Sequence, residues 1–306
     1  DLITGMLREG YNFDGIICTD WGVVSDITLF GRIFKPASAH GVEQLSVSER
    51  LEKIFAAGVD MLGGEVLSPE LASLIQSKII SEKRIDESLR RVLKQKFELG
   101  LFDNPYLDME TLNTLNNDTY FKKGIEAQKK ALVLLKNEDD LLPLAKETKV
   151  YLHGFEENSN TKIKATDLEQ AEVIILKLQT PSGDIESEYL MEKLLGGGRL
   201  NYSKEELEEL IPLMKSKPTV VVVNIERGAI LTEIEPFSKA MIANFTVSEE
   251  VILDLIFGEF SPTGTLPIEL PSSLKAVLDQ KEDLPYDSEN PLFEFGHGLQ
   301  YAKINE

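Results

Sequence analysis

The stretch that decides the fold is "YNFDGIICTDWG" (11–22), where an apolar run through Ile16, Ile17 and Cys18 stops abruptly at Thr19, Asp20, Trp21 and Gly22. A short continuous apolar run of this kind predicts a strand buried on both faces of a parallel sheet. In such folds functional side chains gather at the carboxyl ends of strands, where the loops form the open face. Asp20 stands at that end. Beside it Trp21, the only Trp of 306 residues, can give a flat platform to a ring or a sugar. The plainer reading makes Asp20 a turn cap and Trp21 ordinary packing.

Outward from this strand the pattern alternates. "SVSERLEKIFAAG" (46–58) predicts a helix, with Ser46 and Glu49 as a capping box and Gly58 as its stop. "VDMLGGE" (59–65) reads as a second short strand, and 68–102 as two helices divided near Lys83, with Asp86 capping the second. Strand, helix, strand, helix implies parallel pairing. Upstream, Leu2, Ile3, Met6 and Leu7 share one face of a helix, so the chain begins inside an element and reads as part of something longer. "DNPYLDMETLNTLNND" (103–118) has little periodicity and reads as a connection, which divides the chain into 1–112 and 113–306.

In the second half, "FKKGIEAQKKALVLLKNE" (121–138) reads as one helix with Ala127, Ala131 and Leu134 on a side. "VYLHG" (150–154), "EVIILKLQ" (172–179), "TVVVVN" (219–224) and "AMIANF" (240–245) read as strands, with helices at 203–216 and 248–258 between them. This is a second parallel α/β unit.

Composition narrows the partners. Asp and Glu number 52 against 32 Lys and Arg, a net charge of -20 that repels phosphate backbones and argues against nucleic acid. No run reaches the roughly 18 apolar residues of a membrane-spanning helix. A single cysteine, Cys18, cannot build a disulfide framework, and His40, His153 and His297 lie too far apart in sequence for a usual metal motif. No metal and no cofactor are expected. "GGGR" (196–199) lacks the Lys-Ser/Thr of a phosphate loop and reads as a flexible turn. His297 reads as shaping a loop and His40 as exposed. Triplets at Asn117, Asn201 and Asn244 fit the glycosylation pattern, with no secretory signal beside them.

Several blocks resemble glycoside hydrolase family 3, the family of β-glucosidases and β-xylosidases. "GYNFDGIICTDWG" (10–22) is similar to its nucleophile segment, G-F-x-G-x-x-x-[ST]-D-W-G. In order there follow "GVDMLGG" (58–64), like its last barrel strand, "RIDESLRRVLKQKFELGLFDNPY" (84–106) and "ALVLLKNEDDLLPL" (131–144). "LIFGEFSPTGTLPIELP" (255–271) and "FEFGHGLQY" (293–301) resemble its closing signatures. The resemblance spans essentially the whole chain.

It implies an α/β fold in two parts. A (β/α)8 barrel needs about 250 residues, so 1–112 would be its last two strands and helices plus a linker. Residues 113–306 would be an α/β sandwich domain with a mostly parallel sheet. The implied function is a retaining exo-β-glycosidase acting on terminal β-linked sugars of a glycoside or oligosaccharide, by way of a covalent glycosyl-enzyme on Asp20. Trp21 would line the sugar site. The second carboxyl group would come from 178–206, which offers Asp184, Glu186, Glu188 and Glu192. Glu192 is favoured because "EYLMEKLLGGGRLNY" (188–202) is similar to the "FLExxFHxGxLDF" stretch of relatives, although Leu195 and Gly196 replace its aromatic and His. Glucose, xylose, arabinose and N-acetylglucosamine are all cleaved within the family. The implied partner is an upstream barrel segment or a second copy of the chain, and two strands alone would leave Ile16, Ile17, Met61 and Leu62 uncovered. Two other readings compete: a non-catalytic carbohydrate-binding or assembly module derived from such an enzyme, and, last, a flavodoxin-like flavin- or nucleotide-binding domain.

Overall fold

The computed structural model describes residues 2–115, 117–156, 163–183, 186–195 and 197–301, the side chains of Glu192 and Leu195 excepted. It is an α/β fold divided into two compact units. One holds the chain up to Thr111 together with the segment around helix Leu190–Leu195, and the other holds Leu112 to Gly183 and Gly197 onward.

In the first unit, β1 (Cys18–Trp21) leads into a hairpin of β2 (Ile27–Leu29) and β3 (Arg32–Lys35). Helix α1 (Val47–Ala57), β4 (Met61–Gly63), α2 (Ser68–Gln76) and α3 (Glu82–Glu98) follow. β1 and β4 pair in parallel as a two-stranded sheet. The α1 ends are as the sequence predicts: Ser46 and Glu49 satisfy each other's backbone N–H groups, and Gly58 closes the helix at φ 107°. Leu51 and Phe55 of α1 pack with Leu74 of α2, Val24 and Ile80 as the unit's small core.

Three expectations are corrected here. β1 is not buried on both faces; Cys18, Asp20 and Trp21 are exposed and Ile16 and Ile17 only half-covered, because among the described residues β1 pairs with β4 on one edge. This agrees with the other expectation, that two such strands alone leave Ile16 and Ile17 incompletely covered. The cap of α3 is Ser81, whose side chain accepts the Arg84 N–H, and Asp86 lies inside the helix. The chain turns earlier than the sequence suggested, at Lys78 with φ 62°. The first helix, Leu2–Gly10, is wound as a π-helix and buries none of its residues.

The second unit opens with α4 (Leu112–Leu115) and α5 (Asp118–Lys130), then β5 (Leu132–Asn137), β6 (Val150–His153) and β7 (Val173–Leu178). Counting Leu190–Leu195 as α6, there follow α7 (Lys204–Ser216), β8 (Thr219–Asn224), β9 (Ala240–Asn244), α8 (Glu249–Ile256) and α9 (Leu274–Leu278). The sheet order is β5-β9-β8-β7-β6, parallel throughout except that β5 runs antiparallel to β9. The single helix expected over 121–138 is therefore a helix and a strand. Leu132, Val133, Leu134 and Leu135 are all buried, on alternating sides of the sheet. A surface helix would have buried only one stripe of them.

All six residues of β8 are buried. One face packs against α5 and α8 through Ile125, Val251, Ile252 and Leu255, and the other against α7 through Leu207, Leu210 and Met214. Each fully buried Val contributes about 1.5–3 kcal/mol, so this strand anchors the unit.

Candidate active site

Asp20 lies near the carboxyl end of β1 and is exposed. The register explains how. Cys18 pairs with Met61 and Trp21 with Gly63, so Thr19 and Asp20 together oppose Leu62 alone. Such a bulge re-aims side chains at the point where pairing ends. Thr19 accepts the Gly63 N–H through Oγ1 at 2.9 Å and fixes that register.

Trp21 is 55% exposed. Its ring lies on Gly63 and Gly64, which have no Cβ to push it off; Gly64 also needs φ 64°. A tryptophan seated on two glycines, with its remaining surface in solvent, can stack with the apolar face of a ring. Its carbonyl accepts Lys35 Nζ of β3 at 2.8 Å, tying the hairpin to the end of β1.

Two carboxylates missed in the sequence hold this end of the unit. Glu65 Oε1 accepts the N–H groups of Val24 (2.9 Å) and Ser25 (2.7 Å) and the Ser25 hydroxyl (3.1 Å), pinning the turn after Trp21 to the segment after β4. Asp60, fully buried, receives the Ile17 N–H and Arg8 on one oxygen and Ser88 and Arg91 on the other. Burial alone would raise the Asp60 carboxyl. The Ile17 N–H, Ser88 and Arg91 outweigh it and hold it below the ordinary 3.8. Asp60 lies inside the block "GVDMLGG" but was not singled out there, and Glu65 follows it directly; the only signal of a role was an acid placed next to an apolar strand.

The second predicted carboxylate lies on helix α6, but the Glu192 side chain, like Asp184, is outside the described residues. Glu186 and Glu188 are exposed. Within the first unit α6 lies beside β3, the hairpin strand that follows Asp20. His40 is exposed, while His297 hydrogen-bonds the Leu135 carbonyl at 2.8 Å and ties its loop to β5. Asn244, in one of the glycosylation-like triplets, is buried. Among the described residues no three His, Cys, Asp or Glu side chains stand close enough to hold a metal ion, and no helix is long and apolar enough to cross a membrane.

The fold is shared with the β-glucosidase from Listeria innocua solved with glucose, at a TM-score of 0.73 and 22% identity over 97% of this chain and 48% of that one. In sequence the chain is 39% identical over 98% of its length to the "Probable beta-glucosidase C" of Aspergillus oryzae. It is 36% identical over 98% to the "Periplasmic beta-glucosidase/beta-xylosidase" of Dickeya chrysanthemi. The chain spans about half the length of these curated relatives, 48% in each case. The family model for the glycosyl hydrolase family 3 N terminal domain matches residues 1–95, and that for the family's C-terminal domain matches 155–301. With one model of the same family on each half, and relatives of both halves in single proteins, the chain belongs to glycosyl hydrolase family 3.

Proposed function

We propose that the chain carries catalytic machinery of a retaining β-glycosidase that removes a terminal β-linked glucose-like sugar. The first unit then corresponds to the last two strands and helices of a (β/α)8 barrel, and the second to an α/β sandwich domain. The observation that carries this reading is the pairing of an exposed Asp20, on a bulge ending a parallel strand, with Trp21 seated on Gly63 and Gly64.

In the proposed first step an Asp20 carboxylate oxygen attacks the anomeric carbon. The glycosidic C–O bond breaks, and the leaving oxygen takes the proton of Glu192. In the second, water gives a proton to the Glu192 carboxylate as its oxygen attacks the same carbon and releases Asp20. Trp21 stacks on the sugar and excludes water from one face. The two carboxyl groups and the attacking water between them supply every proton and electron pair the reaction needs, so no cofactor is called on.

The test is intact-protein mass spectrometry after incubation with a glycoside bearing fluorine beside the anomeric carbon and a good leaving group. The expected result is a mass gain of one fluorosugar on the peptide that contains Asp20, absent from Asp20→Asn. Natural glycoside turnover should fall in that variant by roughly 10⁴-fold or more. A label on another acidic residue would overturn the assignment. The absence of label both here and in a chain extended by upstream barrel strands would favour the non-catalytic module.

A further inference from the structure

Trp21 rests on a seat that has no side chains of its own. Its six-membered ring lies over Gly63 and its five-membered ring over Gly64, so the indole runs lengthwise along two successive glycines. Two glycines let the ring come close to the backbone, but they also leave that backbone freer than any other pair would. What steadies the seat must therefore come from its ends.

On the upstream side the Gly63 N–H donates to Thr19 Oγ1 at 2.9 Å. On the downstream side the next residue is Glu65, whose Oε1 accepts all three donors from Val24 and Ser25. Val24 is fully buried against Leu51, Phe55 and Leu74, and its carbonyl accepts Arg50 Nη1 at 2.9 Å. Glu65 thus ties the free end of the seat to a fixed point of the unit's core. A closed path results: from Trp21 along the chain to Val24, across the Glu65 carboxylate, and back through Gly64 and Gly63 to the ring. The segment beyond Glu65 offers less support, since Val66 is exposed and Leu67 begins α2 with no side-chain cap bond.

Stability alone does not explain this carboxylate. Its other oxygen, Oε2, is buried and has no hydrogen-bond partner among the described residues. Such an oxygen costs free energy and calls for a reason. The donors converge instead on the oxygen that holds the turn after Trp21.

The geometry points to Glu65 as a positioning residue: through that turn and the Gly63–Gly64 seat it fixes the plane of Trp21, and with it the face offered to a sugar. The assignment rests on the reading of Trp21 as a sugar platform given above. Glu65 acts through Trp21, and its effect is on binding of the sugar.

Trp21 is the only tryptophan of the chain, so the first test is spectroscopic. Emission of the full chain, excited on the red edge where tyrosine does not absorb, reports Trp21 alone. In Glu65→Ala the ring should leave its seat and emit at longer wavelength. Acrylamide quenching should rise by up to roughly twofold, the limit for a ring already 55% exposed. Unchanged emission and quenching overturn the proposal. Glu65→Gln keeps an acceptor for the turn and should restore most of the unaltered spectrum; a change as large as that of Glu65→Ala overturns it. Where Glu65→Ala also loses amide protection in α1, Glu65→Asp is read instead. One methylene shorter, it cannot reach Val24 and Ser25 together and should show a smaller change in the same direction. The unaltered spectrum in that variant overturns the proposal.

The second test is a double-mutant cycle on an aryl β-glucoside. A platform that stacks on the sugar before and during the reaction acts on binding. Glu65→Ala should therefore raise KM roughly fivefold and leave kcat within about twofold. In a Trp21→Ala background the same substitution should add almost nothing to KM, because the two residues act as one unit. Equal KM losses in both backgrounds overturn the positioning role. If the unaltered chain neither turns over the glucoside nor takes the fluorosugar label, the reading of the sugar site fails, while the spectra still decide whether Glu65 holds Trp21.

Discussion

β1 and β8 are both short parallel strands with an apolar reading, yet β8 is buried along its whole length and β1 is mostly exposed. Parallel pairing is common to both. What differs is the surroundings: β8 has a partner on each edge and helices on both faces, while among the described residues β1 pairs with β4 alone. Their carboxyl ends differ in the same way. At the end of β8, Asn224 accepts the Thr246 N–H (3.2 Å) and donates to Glu226 (3.1 Å), and at the end of β9 Asn244 accepts the Val247 N–H (2.8 Å). These polar groups are spent on structure. Asp20 stands open to solvent on a bulge. A strand's end is therefore a candidate site only where its polar group has not been absorbed into the turn that follows.

The largest expected effect comes from placing the same charge in both strands. Val222→Asp buries an unpaired carboxylate and should cost at least about 4 kcal/mol, read as loss of the native sheet in urea. Cys18→Asp should stay within about 0.5 kcal/mol. Equal costs would break the contrast between the strands.

Next comes the ion-paired hub of the first unit. Asp60→Ala leaves Arg8 and Arg91 without their carboxylate and should cost about 3 kcal/mol, with amide protection lost in α1 and α3 and kept in β8. Because the native Asp60 carboxyl is held below its ordinary 3.8, its contribution is complete above that value. It is lost as the pH falls through the lower native one. Acid melting of the first unit should therefore become less steep in Asp60→Asn. An unchanged acid limb would mean that other groups set it.

The smallest effects sharpen the comparison. Ser46 and Ser203 form the same capping box on α1 and α7, one in each unit. Ser46→Ala and Ser203→Ala should each cost about 1 kcal/mol, measured by thermal unfolding with local exchange at the first turn. Similar losses would show that caps act locally, whatever core lies beneath.

Much of this was legible in the sequence, for reasons that can be named. Ser46, Glu49 and Gly58 carry their own local physics, and "TVVVVN" leaves no alternative to a buried strand. The failures had equally local causes. "ALVLLKN" continues the helix before it without a breaker, and only the exposed edge of β9 makes it a strand. Ile16, Ile17 and Cys18 look buried because apolarity does not report how many neighbours a strand will have. At the candidate site, Asp20 and Trp21 stood out by position. Glu65 and Asp60 did not, since each takes its partners from positions distant in sequence.

The exposed thiol of Cys18 gives the chain an experimental advantage. It is the only cysteine of the 306 residues and lies two positions before Asp20 on the same strand. A fluorophore or spin label attached there would need no engineered background. It would sit beside the proposed sugar site as a reporter of occupancy, reading ligand arrival in real time where mass spectrometry reads only what has become covalent.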